Sequence, residues 1–357
     1  MPQFEIETTN LESILPLPDS ISNSVKSMIY SFSQQRLETA LHSLLHHELK
    51  KLLPGTVEPT ILSSLRELIV KKTQNKLLLI ERVLSLSLPV SITSHQGGNL
   101  CSVQEDLLDT LVLRNCDLSK VQPHLTTNYS LESTWIYLNK LEDMGIKRLL
   151  LIGGDKPKKF WRETYKRSKD FCQGKDLIRL VNDYNAQSLH TFIIEAGSNP
   201  YQPLSTEKRR LELKLGSGRV DGFKTQPIDY TQPRLFEEYQ RMIDAFGISD
   251  QVTYSLFYAT SLASYSKLKE CGCDFDKGSL PSLLLSSLEG ANGNAKEFGQ
   301  TFAVENCAKG YTFLLQNGIP DNRINFMGVP TIRRYEQIME RVNQTYPTET
   351  LNIEVKL

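Results

Sequence analysis

The stretch KVQPHLTTNYSLESTWIYLNKLEDMGIKRLLLIG, residues 120–153, decides the fold class. Short β-rich runs at 120–126 and 147–153 flank a segment with helical periodicity. Ser130 is a typical helix N-cap, and Gly145 is typical of the residue that follows a helix. Two strands joined by a helix form a βαβ unit, which indicates a parallel sheet.

The same alternation continues on both sides of this unit. Further β-rich runs lie at 3–8, 89–94, 190–196, 222–226, 251–257 and 323–327. Helices are predicted between them, including 237–245 and 302–315. Eight strands with intervening helices predict an α/β fold, a closed (β/α)8 TIM barrel. We expect one barrel domain over residues 1–357, with a helical segment at 20–84 inserted between the first and second strands.

The bulk composition excludes several classes of protein. The chain has 357 residues, with 41 Lys plus Arg against 41 Asp plus Glu, so its formal charge is zero. A balanced charge argues against a nucleic-acid partner, which would require a basic surplus. No secretory leader and no apolar run long enough for a bilayer is visible. Six scattered cysteines do not form a disulfide framework, so a cytoplasmic location without membrane partners is expected.

Two local patterns could hold a metal, and each has a simpler interpretation. Cys271-Gly-Cys273 lacks a second cysteine cluster, so incidental thiols are favoured. His42 and His46 stand four residues apart on a predicted helix, but no third ligand follows in pattern. A solvated helix face is favoured there, and no metal cofactor is predicted.

The predicted strand ends carry the candidate chemistry. In (β/α)8 barrels the active site lies at the carboxyl ends of the strands. Here those ends form a polar and aromatic ring with few charges, which suits a heteroaromatic ligand with amide-like edges. The ring comprises Thr93, 124–127, 153–155, 195–199, 225–226 and 257–258.

Several motifs at these strand ends resemble one family in order and spacing. They are VSIT at 90–93, PHLT at 123–126, GGDKP at 153–157, FKTQP at 223–227 and the helix with its following turn at 302–320. They resemble the VSVT, HLT, RGDxP and ITQ motifs and the final helix of the methylenetetrahydrofolate reductases. The resemblance spans about two thirds of the chain and covers the catalytic barrel only, without a C-terminal regulatory region.

The resemblance implies a flavoprotein of one-carbon metabolism. Such an enzyme reduces 5,10-methylenetetrahydrofolate to 5-methyltetrahydrofolate with NAD(P)H, through bound FAD. By carry-over, the residues that contact FAD are Thr93, His124, Glu207 and Lys214. Asp155 would be a catalytic and FAD-contacting carboxylate near the flavin pyrimidine ring and the pterin, and Gln226 would read the pterin edge with its amide. Tyr265 would stack on the folate, and Glu5 would protonate N10 as the catalytic acid. Glu7 on the same predicted strand stays open as the alternative donor.

Each of these residues also has a purely structural interpretation. His124 fits a hydrogen-bonded core histidine, and Asp155 fits a turn former or helix cap. Gln226 could hold a loop, Lys214 could be a solvated helix charge, and Glu5 could be a surface acid on an edge strand near the terminus.

The chain also departs from the family pattern. Gly153 stands where the family has an arginine before Gly154-Asp155, and Ser94–Gly97 replaces a Tyr-Gly-Ala segment. The loop at 197–203 and the Thr8-Thr9 pair differ as well. These departures leave an alternative open: a non-catalytic or flavin-free barrel that acts as a folate- or protein-binding module. The preference between NADH and NADPH and assembly into a homo-oligomer also stay open.

Overall fold

The computed structural model describes residues 3–6, 77–93, 104–127, 130–153, 174–270, 272–273, 279–289 and 295–345. Most of the predicted insertion at 20–84 lies outside these residues, as do His42, His46, Cys271 and Asp155. Within them, 77–85 is helical, in agreement with the predicted helical character of that end of the insertion.

The strands form a parallel sheet that curves into a closed barrel, with neighbours in chain order. The strands are β1 Gln3–Ile6, β2 Val90–Ile92, β3 Val121–Thr126, β4 Arg148–Ile152, β5 Ile193–Ser198, β6 Gly222–Pro227, β7 Val252–Phe257 and β8 Ile324–Met327. The ring closes through pairing of β1 with both β2 and β8. An α/β fold with a parallel, barrel-like sheet is therefore confirmed.

Helices connect most successive strands. They are α1 Gln104–Leu113, α2 Leu131–Asp143, α3 Gly174–Gln187, α4 Leu204–Leu215, α5 Pro233–Ala245, α6 Leu262–Glu270, α7 Leu280–Glu289, α8 Ala295–Gln316 and α9 Ile332–Thr345. None of the helices in the described ranges combines the length and apolar character that a membrane span requires.

The predicted helix boundaries agree best where a cap defines them. Ser130 caps α2 by accepting from the backbone N–H of Ser133 at 3.1 Å, and Gly145 follows that helix at φ +74°. Gly247 ends α5 in the same way at φ +66°. By contrast, α5 begins four residues before the predicted start, because Pro233 occupies its first turn without needing a backbone donor. Helix α8 likewise begins at Ala295 rather than at 302.

The main core lies between the barrel wall and the surrounding helices. Alternate strand residues such as Leu149, Ile194 and Phe326 are fully buried in it. The residues between them face the barrel interior, where several are polar and buried, including Gln122, Lys224 and Asn325. The interior polarity is the feature of the fold that matters most for the site.

A second apolar cluster, which we call the roof cluster, is formed largely by residues that follow β7. Its buried members are Ala259, Tyr265, Leu268, Cys273, Leu280 and Leu284, packed against Tyr201, Tyr230, Phe257, Leu262, Phe298 and Phe302. Gly299 lets α8 approach this region closely, since a Cβ there would lie 2.1 Å from the carbonyl oxygen of Thr260.

Candidate functional site

Thr93 and His124 lie side by side at the carboxyl ends of β2 and β3. Both are buried, at 3% and 4% exposure. The side chain of Gln104 joins the two strands: its Nε2 donates to the carbonyls of Ile92, at 2.5 Å, and of His124, at 3.2 Å. Tyr137 donates its hydroxyl to Gln104 Oε1 at 2.7 Å and so fixes the amide. Two of the predicted FAD contacts are thus held next to each other.

His124 is a neutral imidazole under ordinary conditions. Burial, with a smaller contribution from the charge of Lys224, lowers its pKa to about 3. A neutral ring can donate from one nitrogen and accept at the other, so it suits an uncharged hydrogen-bonding edge rather than an anion.

Beneath Thr93 and His124 lies a buried polar layer. Lys224 of β6 donates from Nζ to Ser91 Oγ at 2.6 Å and to Gln122 Oε1 at 2.9 Å. Ser91 in turn donates to Gln122 Oε1 at 2.7 Å. Glu195 of β5 completes the group, and we call Ser91, Gln122, Glu195 and Lys224 the lower layer. Because β2 and β6 lie on different sides of the ring, these contacts cross the barrel interior.

Glu195 balances the charge of Lys224. Burial alone would raise the pKa of this carboxyl, but Lys224 and Arg148 outweigh burial and hold the pKa below its ordinary value. Arg148 also donates to Glu195 from the first position of β4. The carboxylate is therefore ionised, and its negative charge acts on the buried ammonium group of Lys224 within the barrel interior.

Glu207 and Lys214 lie seven residues apart on one face of α4, against the carboxyl end of β5. Glu207 Oε1 accepts from Ser198 Oγ at 2.8 Å and from the backbone N–H of Asn199 at 3.0 Å. Lys214 donates to the carbonyl of Gly197. Burial lowers the pKa of Lys214, and the attraction of Glu207 opposes this shift. Lys214 is thus not the solvated helix charge of the simpler interpretation.

Gln226 and Tyr265 both lie at the roof cluster. Gln226 Oε1 accepts from the thiol of Cys273, with the sulfur at 3.6 Å. Cys273 and Tyr265 are both members of that cluster, at 0% and 5% exposure. Burial raises the pKa of the Tyr265 hydroxyl, so this ring stays neutral. The two residues predicted to contact folate therefore share one neighbourhood.

The two predicted catalytic acids are Asp155 and Glu5. Asp155 lies outside the described residues. Glu5 is described only as backbone, and its register pairs it with Ser91 of β2 and Met327 of β8. Ser91 belongs to the lower layer, so β1 runs beside that layer. The role of each acid stays a prediction.

Three functional candidates escaped the sequence reasoning: Gln104, Lys224 and Cys273. Lys224 carried a usable signal, because it lies in the middle of a predicted strand, two residues before Gln226. Gln104 gave no signal, since glutamine is ordinary in a first helical turn. Cys273 was considered only as half of a CxC metal pair. Among the described residues, no group of His, Cys, Asp or Glu is arranged to hold a metal.

The residues around β5 fit the expected FAD. Glu207 Oε2 is buried and makes no hydrogen bond with the described residues, although Arg210 lies 3.8 Å away. An acceptor in that state matches a ligand hydroxyl, such as those of a ribityl chain or ribose. Lys214 adds a buried ammonium group on the same helix face, which matches a phosphate.

Comparison with known proteins points to one family. The family model described as methylenetetrahydrofolate reductase matches residues 68–343. No curated protein sequence matches the chain.

Two solved structures resemble it weakly. An uncharacterized protein from Clostridium thermocellum, which binds two copies of 5-methyl-5,6,7,8-tetrahydrofolic acid, has 14% identity and a TM-score of 0.38 over 75% of this chain and 98% of its own. A putative deoxyribose-phosphate aldolase from Toxoplasma gondii ME49 has 10% identity and a TM-score of 0.31 over 77% and 96%. Likenesses this low assign no function. The family match, however, covers well over half of the chain, which therefore belongs to the methylenetetrahydrofolate reductase family.

Proposed function

We propose that this protein is a flavin-dependent oxidoreductase that reduces 5,10-methylenetetrahydrofolate to 5-methyltetrahydrofolate with NAD(P)H. The observation that carries the proposal is the family match over residues 68–343, which includes every described residue carried over as a FAD or folate contact. We further propose a single cytoplasmic (β/α)8 domain in which 20–84 is a helical insertion between β1 and β2.

FAD would be held at the carboxyl ends of β2, β3 and β5. Glu207 Oε2 would accept from a hydroxyl of the cofactor, and Lys214 would exchange its bond to Gly197 for one to a phosphate. Thr93 and the neutral His124 would hydrogen-bond the uncharged edge of the ring system. Held by these residues, FAD would supply the hydride-transfer chemistry that links the nicotinamide to the folate methylene.

Folate would occupy the side of the site nearest the roof cluster. Gln226 has both a donor and an acceptor on one amide, and the Cys273 thiol already engages its oxygen. Its Nε2 is therefore the group directed toward an acceptor on the pterin. Tyr265 supplies a neutral aromatic face for stacking. These are the roles that the family resemblance assigns to both residues.

Glu5 would protonate N10 and so open the methylene bridge of the substrate. Its backbone register beside Ser91 places it on the strand that closes the barrel. Glu5 precedes the residues that match the family model, so its assignment rests on the strand order and on the FE motif alone.

A comparison of Glu5→Gln with Glu7→Gln tests the mechanism. Reduction of a quinone by NAD(P)H needs no protonation of N10, so both variants should retain that activity. Glu5→Gln should lose about 100-fold or more in methylenetetrahydrofolate reduction, within the usual range for a general acid, and Glu7→Gln should not. Equal activity of both variants with folate would remove Glu5 from the mechanism, and no turnover by flavin-loaded wild type with any acceptor would reject the proposed activity.

One observation favours the alternative of a flavin-free folate-binding barrel. Gly153 supplies no side chain at the position where the family has a cation, and a Cβ built there meets nothing within 4 Å among the described residues. A colourless protein that binds folate and takes up no added FAD would support this alternative.

A further inference from the structure

The lower layer and the candidate site share three strands of the barrel. On three strands a lower-layer residue is followed, two positions later, by a residue predicted to bind FAD or folate. The pairs are Ser91 and Thr93, Gln122 and His124, and Lys224 and Gln226. Side chains alternate along a strand, so the members of the first two pairs point to the same side. The register of β6 shifts between Lys224 and Pro227, so Lys224 and Gln226 are related by their place on one strand alone. The lower layer therefore lies directly below Thr93 and His124, and Lys224 belongs to the strand that also carries Gln226.

Lys224 is the member that connects the lower layer. It is 3% exposed, and its ammonium group joins β6 to Ser91 on β2 and to Gln122 on β3. These partners lie 133 and 102 residues away along the chain. Lysine is almost never fully buried unless it is paired, and an apolar side chain would fill a barrel interior at lower cost. The buried charge of Lys224 therefore indicates a role beyond packing.

We propose that Lys224 is a positioning residue for the site: bonded to Ser91 and Gln122 and balanced by Glu195, it fixes the three strand ends that carry Thr93, His124 and Gln226. The inference rests on the proposed function only for the identity of the ligand. Groups that contact a ligand depend on the groups that hold them, because a displacement of about 1 Å can cost two orders of magnitude in rate.

Lys224 also contributes to the charge state of the site. The charged groups acting on this layer, among the described residues, are Lys224 of β6, Glu195 of β5 and Arg148 of β4. Of these, Lys224 acts on His124, and together with burial it keeps the imidazole neutral. The same side chain thus adds to the burial that keeps His124 neutral, and its bond to Gln122 links it to the strand that carries His124.

The first test uses the unliganded protein and reads His124 directly. Histidine labelled with 13C at Cε1 is followed by NMR in wild type, Lys224→Met, Lys224→Arg and the control Lys140→Met, a surface lysine on α2 paired with Asp109. The signal of His124 is identified by its loss in His124→Gln. We expect His124 to stay neutral from about pH 8 to about pH 5 in wild type, Lys140→Met and Lys224→Arg.

In Lys224→Met the pKa of His124 should rise, because the neighbouring positive charge has been removed. An unchanged pKa would overturn the electrostatic role. Lys224→Arg keeps the positive charge. An equal rise of the His124 pKa in this variant would mean that water enters a loosened interior, and it would also overturn the electrostatic role.

The second test uses kcat/KM to detect a displacement of the site residues. Lys224→Met should lose about 10- to 100-fold in kcat/KM for methylenetetrahydrofolate, the loss expected from a site displaced by a fraction of an ångström to 1 Å. If Lys224→Met does not fold, the double variant Lys224→Met with Glu195→Gln removes both opposite charges and leaves no carboxylate without its cation. A folded double variant with wild-type kcat/KM would overturn the positioning role. Wild type that turns over no folate would instead reject the proposed function, while the NMR result would still decide the role of Lys224.

Discussion

Burial of a neutral His124 makes the stability of the fold depend on pH in a predictable direction. The ordinary pKa of 6.5 applies in the unfolded chain, and the pKa in the folded protein is about 3. Between these values the unfolded state binds a proton at this residue and the native state does not. Protonation therefore favours unfolding, and the contribution to stability is lost as the pH falls below 6.5.

The size of the effect follows from the two pKa values. One pH unit corresponds to about 1.4 kcal/mol once the unfolded imidazole is fully protonated. Between about pH 7.5 and about pH 5, His124 should therefore reduce the free energy of unfolding by about 2 kcal/mol. Carboxylates such as Glu195, whose pKa is lowered in the fold, change stability in the same direction at lower pH, so a matched variant is required.

His124→Gln is that matched variant, because glutamine keeps a donor and an acceptor but does not titrate. Urea unfolding of both proteins at the two pH values gives the comparison. We expect the loss of stability on acidification to be about 2 kcal/mol smaller in His124→Gln than in wild type. The same loss in both proteins would refute the claim that His124 is buried in its neutral form.

Four further predictions address the β5 pair, the roof cluster and helix α8. Glu207→Gln can still accept from Ser198 and Asn199, so the free energy of unfolding measured with urea should fall by only about 1 kcal/mol. The variant replaces one carboxylate oxygen with a donor, so FAD binding measured by flavin fluorescence should weaken. Lys214→Met should weaken FAD binding by about 10-fold or more, while the exposed Lys208→Met should bind FAD like wild type. Cys273→Ala should raise KM for folate more than Cys273→Ser does, because serine can still donate to Gln226, and equal KM values would remove Cys273 from the site. Gly299→Ala should destabilise the protein by about 1–3 kcal/mol, since a contact of 2.1 Å to a backbone oxygen forces α8 outward. Gly310→Ala should cost less, because its close contact, at 2.7 Å, is with the flexible side chain of Leu256, and Tyr230 lies at an ordinary 3.6 Å.

The parallel α/β sheet could be read from the sequence because its signals are local. Runs such as 147–153 are short, apolar and bounded by turn residues, and Gly145 marks a helix end through its own backbone conformation. Starts without a serine-type cap were predicted less well: α5 begins at Pro233 and α8 at Ala295, both before the predicted residues.

The candidate site could be predicted only in part, because its contacts are not local. Thr93, His124 and Gln226 were found from strand ends and family motifs. The bond from Lys224 to Ser91 joins residues far apart in sequence, and nothing in the local pattern around either residue indicates it. Helix α4 shows the same limit: the seven-residue spacing of Glu207 and Lys214 indicates a shared helix face, but not that this face lies against β5.

The central claim of the proposed function is that this barrel binds FAD and uses it to reduce a folate. Its most direct test is the visible absorption spectrum of the purified protein, recorded before and after addition of NADPH or NADH and then of methylenetetrahydrofolate. We expect a flavin spectrum that bleaches with the nicotinamide and recovers with the folate. A protein that is colourless, and stays so after incubation with FAD, would contradict it.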